Sequence, residues 1–86
     1  MEINKLKAFY YAAQAQSFTK TNVNLSASVV SRHVADLEHE FGAKLFFRTK
    51  EGLILTGQGK VLYEKAETLF GLVEDIKNDM AELPQG

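Results

Sequence analysis

Apolar positions return with a helical period over three stretches of the chain. Ile3, Leu6, Phe9, Tyr10 and Ala13 follow one another at steps of three, three, one and three. That spacing predicts an amphipathic helix over residues 2–15 with one buried face. Val30, Val34, Leu37 and Phe41 fall at steps of four, three and four, which predicts a helix from Ala27 to Phe41, capped by Ser26 and stopped by a left-handed Gly42. Leu62, Ala66, Leu69, Val73, Ile76, Met80 and Leu83 alternate steps of four and three, a heptad seam on a helix over residues 57–83. Such a helix would be about 40 Å long, too long to pack wholly against a body this small. One reading folds it back on its own core. The regular stripe, with acids outside it, favours a partner helix, most simply the same helix of a second copy.

Between these helices the pattern shortens. Ser17 and Thr19 offer cap-type hydroxyls before residues 20–23, which have room for about one further turn of helix, and Asn24 and Leu25 make the turn after it. Residues 43–49 and 53–56 are short apolar runs flanking Lys50, Glu51 and Gly52, a hairpin with Gly52 at the turn. The expected fold is therefore mainly α: a winged helix-turn-helix of three helices plus a small β-hairpin wing over residues 1–56, then a long dimerising linker helix over 57–86.

The composition narrows the chemistry. The chain has 86 residues and no cysteine, which permits one domain and excludes disulfides, thiolate metal sites and cysteine nucleophiles. No apolar stretch approaches the ~20 residues of a membrane span, and the start lacks the basic end and apolar run of a secretory signal, so a cytoplasmic address is expected. The net charge of −1 argues against a nucleic-acid partner until it is divided along the chain. Residues 1–50 hold seven Lys or Arg against four acids, whereas residues 51–86 hold three against seven. One end can face an anion. His33 and His39, six apart, lie on different sides of one helix and are expected at the surface, with no metal spacing. Asp36, Glu38 and Glu40 diverge around the same helix and read as a solvated face. No catalytic group, metal set or phosphate-binding loop can be assembled, so neither an enzyme nor a cofactor is expected.

Leu6-Lys7-Ala8-Phe9, Ser17-Phe18-Thr19, Ser31-Arg32, Leu37-Glu38, the run from Phe41 through Gly42, Ala43, Lys44 and Leu45 to Phe46, Arg48-Thr49, Leu55-Thr56 and Gly59 stand in an order and spacing that resembles the N-terminal DNA-binding domain of LysR-type transcriptional regulators. The resemblance covers nearly the whole chain. It implies a bacterial repressor or activator with the helix over 27–41 in the major groove of double-stranded DNA, the wing over 44–56 on flanking phosphates, and the long helix as an antiparallel dimer linker on an operator of inverted half-sites. It also implies that a small-molecule effector would act only through a C-terminal domain beyond Leu83 and Pro84. Three departures stand out. Gln16 replaces the family's usual Gly, so a left-handed backbone there would be strained. The stretch between Thr19 and Ser31 is two residues shorter than the common pattern. Ala27 and Ser28 stand where the family commonly has Gln and Pro.

The DNA-binding candidates follow from position and chemistry. Ser26, Ala27 and Ser28 occupy the helix N-terminus, where free amides favour phosphate oxygens. Ser26 can equally serve only as the cap, and Ala27 can do little beyond touching a thymine methyl. Ser31 and Arg32 share the exposed face, and the Arg32 fork can take guanine O6 and N7 or a phosphate; its alternative is an ion pair with Asp36. Arg48, Thr49 and Lys50 on the hairpin are expected backbone contacts, with a clamp between hairpin and core as the other reading of Arg48. Lys20 is a phosphate candidate by charge alone. Of Phe46 and Phe47, one is expected in the core. The competing class of function is a winged-helix module that pairs with protein through a coiled coil.

Overall fold

A computed structural model describes residues 1–20 and 25–83. Helix α1, Ile3–Ala15, starts one residue later than the pattern predicts because Glu2 is its cap: the carboxylate accepts from the amides of Asn4 and Lys5 at 3.0 and 3.2 Å. Its buried face is Leu6, Ala8, Phe9 and Ala12, while Ile3, expected in that face, is exposed. Helix α2, Ala27–Phe41, has the predicted bounds and caps, with Ser26 accepting from the Val29 amide and Gly42 at φ 64°. Val30, Val34 and Leu37 are buried. Phe41 is not: it remains 45% exposed, because the stripe runs past the end of what α1 covers. The short helix expected over 20–23 falls mostly outside the described residues; Lys20 itself lies in a bend after α1.

Strands β1, Phe46–Thr49, and β2, Gly52–Leu55, pair antiparallel with Phe46 opposite Leu55 and Thr49 opposite Gly52. The turn is thus Lys50 and Glu51, and Gly52 opens β2 rather than sitting within the turn. Its φ of 120° and its neighbour explain the residue type: a Cβ there would stand 2.5 Å from the Gln16 carbonyl oxygen, which instead accepts the Leu53 amide at 2.9 Å. The wing is docked on the end of α1 through this contact.

Helix α3, Gly57–Glu82, is capped by the buried Thr56. The Thr56 hydroxyl donates to the Lys44 carbonyl at 2.6 Å and accepts the Gly59 amide at 3.0 Å, so one side chain starts the helix and ties it to the strand before the wing. Gly59 packs against the Leu45 backbone so closely that a Cβ would collide with the Leu45 carbonyl. Further along, Tyr63 stacks on Tyr10 with ring centroids 5.1 Å apart and Phe70 tilts against it at 5.2 Å.

The predicted seam of α3 divides in the structure. Ala66 is fully buried within its own chain and Leu62 and Leu69 pack partly on the same core, so the folded-back reading holds for this half. Ala66 therefore cannot meet a partner as the seam required. Ile76, Met80 and Leu83 are 60–63% exposed, and Val61 and Leu72, which the seam did not include, are exposed as well.

Candidate nucleic-acid interface

The exposed side of α2 begins with its cap. Ser26 Oγ accepts the Val29 amide at 3.4 Å and lies 3.2 Å from Ser28 Oγ, which leaves the first-turn amides of Ala27 and Ser28 without intrahelical acceptors. Ser28 and Arg32 are exposed, one turn apart, with Ala27 and Ser31 half-buried beside them. The alternative partner of Arg32 is engaged elsewhere: Asp36 pairs with Lys5 of α1 at 3.0 Å, and among the described residues no ion pair involves Arg32. The helix N-terminus and an unpaired guanidinium thus share one surface, which suits it to a polyanion.

The other acids of α2 also have structural partners, contrary to the solvated face expected of them. Glu40 meets the N-terminal amine at 3.4 Å. Glu38 accepts the Leu45 amide at 2.8 Å, and Lys44, an exposed cation at the base of the wing, approaches it at 3.9 Å. His39 is exposed as expected. His33 is half-buried instead, with a buried Nδ1 that has no hydrogen-bond partner among the described residues.

Arg48 joins the wing to the helix. Strand alternation puts it on the same face as Phe46, toward the core, and its guanidinium lies 4.8 Å from the centroid of the Phe18 ring while Nη2 reaches Ser31 Oγ at 3.5 Å. Phe18 meets Phe46 edge-on at 6.1 Å, and Phe46 meets Phe9 at 5.3 Å, so the guanidinium rests on an aromatic stack rooted in the core. This is the clamp reading of Arg48. Phe18 enters the sequence reading only through the Ser17-Phe18-Thr19 string; its role under Arg48 has no local signal, because Phe46 and Arg48 are 28 and 30 residues away.

Of the remaining candidates, Thr49 uses its hydroxyl on the Gly52 carbonyl at 2.8 Å and thereby closes the turn. Lys50 is exposed at the tip of the wing, and Lys20 is exposed in the bend where Ser17 Oγ accepts the Thr19 amide at 3.1 Å. The structure thus brings Ser26, Ala27, Ser28, Ser31, Arg32 and Arg48 together, with Lys50 at the far end of the strand that carries Arg48. Among the described residues no group of His, Asp and Glu is arranged to hold a metal, and no helix is long and apolar enough to cross a membrane.

Residues 3–60 match the family described as bacterial regulatory helix-turn-helix protein, lysR family. The HTH-type transcriptional regulator TfdT of Cupriavidus pinatubonensis is 40% identical over 76 residues, covering 86% of this chain and 33% of its own length. The uncharacterized HTH-type transcriptional regulator MJ0300 of Methanocaldococcus jannaschii is 37% identical over 78 residues, covering 88% of this chain and 26% of its own. The chain therefore spans about a quarter to a third of these relatives. Among solved structures, the BenM DNA-binding domain in complex with catB site 1 DNA superposes with a TM-score of 0.89 at 27% identity, over 100% of this chain and 99% of that one.

Proposed function

Because the chain belongs to the LysR family of bacterial regulatory helix-turn-helix proteins, we propose that it binds operator DNA as a homodimer, with α2 in the major groove and the wing against flanking phosphates. The observation that carries the reading is Arg32, exposed on the capped half of α2 beside Ser28, with Asp36 held away by Lys5. A free fork in that place can take the O6 and N7 of a guanine. Support comes from the BenM domain, which has this fold and was solved on DNA. Arg48 contributes by orienting the wing through Phe18 and Ser31, whereas Lys50 at the tip has no partner among the described residues and faces the phosphates.

Reading and holding then separate on mutation. Arg32→Ala should lose about 1–3 kcal/mol on a specific duplex and little on a scrambled one. Lys50→Ala should weaken both by a similar factor and flatten log K against log salt by about one unit, as expected when one cation leaves the phosphate backbone. Titrations on both duplexes at several salt concentrations decide the matter. If Arg32→Ala weakens both equally, Arg32 clamps phosphate and α2 does not read bases through it.

A further inference from the structure

Asp36 stands between two cations. It follows Arg32 by four residues on α2, so the two side chains leave the helix about 40° apart and roughly 6 Å along its axis. That spacing permits an ion pair within the helix. The other cation is Lys5 in the first turn of α1, whose Nζ lies 3.0 Å from Asp36 Oδ2. Asp36 takes Lys5, and among the described residues Arg32 has no ionic partner.

The choice follows from packing. Leu6 and Leu37, which adjoin Lys5 and Asp36 in sequence, both belong to the core that joins α1 to α2. Burying them brings the edge of one helix to the edge of the other, and Lys5 with Asp36 closes that edge at side-chain exposures of 34% and 46%. Glu2 caps α1 immediately before and so fixes the turn that carries Lys5. The rival pair within α2 is the weaker one, because a cation on the N-terminal side of an anion has the less favourable order along a helix.

We propose that Lys5 is a positioning residue for DNA binding: it draws Asp36 toward α1 and so keeps the Arg32 guanidinium available to the duplex. The inference rests on the reading of Arg32 as a DNA contact and adds the residue that keeps this contact free. Without the Lys5 ammonium, the cation left within reach of the Asp36 carboxylate is Arg32. Arg32 must then give up Asp36 before it takes a guanine or a phosphate, and the uncovered carboxylate repels the phosphates as well. Both effects originate in Asp36 rather than in Lys5, so neutralising Asp36 cancels them.

Wild type, Lys5→Met, Asp36→Asn and the double variant decide this in titrations on specific and scrambled duplexes at low salt. Met keeps the apolar stem of the half-buried lysine, and Asn keeps the shape of the carboxylate. Lys5→Met should weaken binding to the specific duplex about two- to fivefold, with a deficit that shrinks as salt is raised. Asp36→Asn should bind at least as tightly as wild type, and the double variant should regain the wild-type constant. A pair that merely holds α1 on α2 gives a different result: Lys5→Met and the double variant both lack it, so both would bind equally weakly. That outcome overturns the proposal, as does Lys5→Met binding like wild type. In an Arg32→Ala background Lys5→Met should lose most of its effect, and an undiminished effect there overturns the route through Arg32. The base reading stands separately. If Arg32→Ala weakens both duplexes equally that reading fails, while rescue of Lys5→Met by Asp36→Asn still shows Arg32 being kept free, for a phosphate.

Discussion

Gln16 holds a left-handed backbone, φ 56° and ψ 30°, at the end of α1, and it is the one non-glycine residue with positive φ among those described. The conformation persists because the surroundings demand it: the Gln16 amide returns to Ala13, the Ser17 amide to Ala12, and the Gln16 carbonyl takes the Leu53 amide of the wing. A side chain in that region costs roughly 1–2 kcal/mol that glycine avoids, offset by about 0.4–1 kcal/mol for the greater freedom of glycine in the unfolded chain. Gln16→Gly should therefore stabilise the domain by roughly 0.5–1 kcal/mol, measured as a rise in the urea midpoint at fixed protein concentration with an unchanged slope. The strain was legible from the sequence through the departure from glycine at that position. The reason for it was not, because the partner that enforces it, Leu53, is distant in sequence and reaches Gln16 only once the wing has docked. The same holds for Asp36 with Lys5, an attachment that depends on how α2 packs against α1.

Among the elements, helix periods and the caps of α2 could be read along the chain because they are local: Ser26 and Gly42 each bond within a few residues. What periodicity leaves open is which neighbour a stripe faces. A heptad repeat has the same spacing whether it meets its own core or another molecule, and α3 does the first over Leu62, Ala66 and Leu69. The contact between α1 and α3 is an aromatic layer, and burial, then the nearby Tyr63 phenol and Glu67 carboxylate, push the Tyr10 phenol above its ordinary value of 10.0. The neutral phenol is thus favoured in the folded state. Its contribution is complete below pH 10 and is lost as pH rises toward the folded value, because the unfolded chain releases the proton first. Chemical denaturation from about pH 8 to about pH 11 should show stability falling above the ordinary phenol value, and Tyr10→Phe should make that fall shallower. A variant with the same pH dependence as the parent would show that α1 and α3 do not hold the phenol neutral.

At the scale of the molecule, the chain measures 52 × 23 × 20 Å, with one long helix extending from a small body. If two bodies are held by their α3 helices, the two recognition surfaces are a fixed distance apart and related by a two-fold axis, so the preferred operator has inverted half-sites on one face of the duplex. Inserting about five base pairs between them turns one half-site to the opposite face and should reduce affinity toward that of a single half-site, whereas inserting about ten should restore part of the loss. Gel-shift titrations of the three duplexes check it, and equal binding to all three would contradict a fixed separation. The Thr56 hydroxyl and Glu38 carboxylate bear on how firmly that separation is kept. Glu38 on α2 grips the Leu45 amide, and Thr56 at the head of α3 grips the carbonyl of Lys44, the preceding residue. The two helices are thus bolted to the two ends of a single peptide group, the one that joins Lys44 to Leu45. Because that group is planar, α3 cannot turn about its own start without either carrying Glu38 and α2 along or giving up one of the two hydrogen bonds.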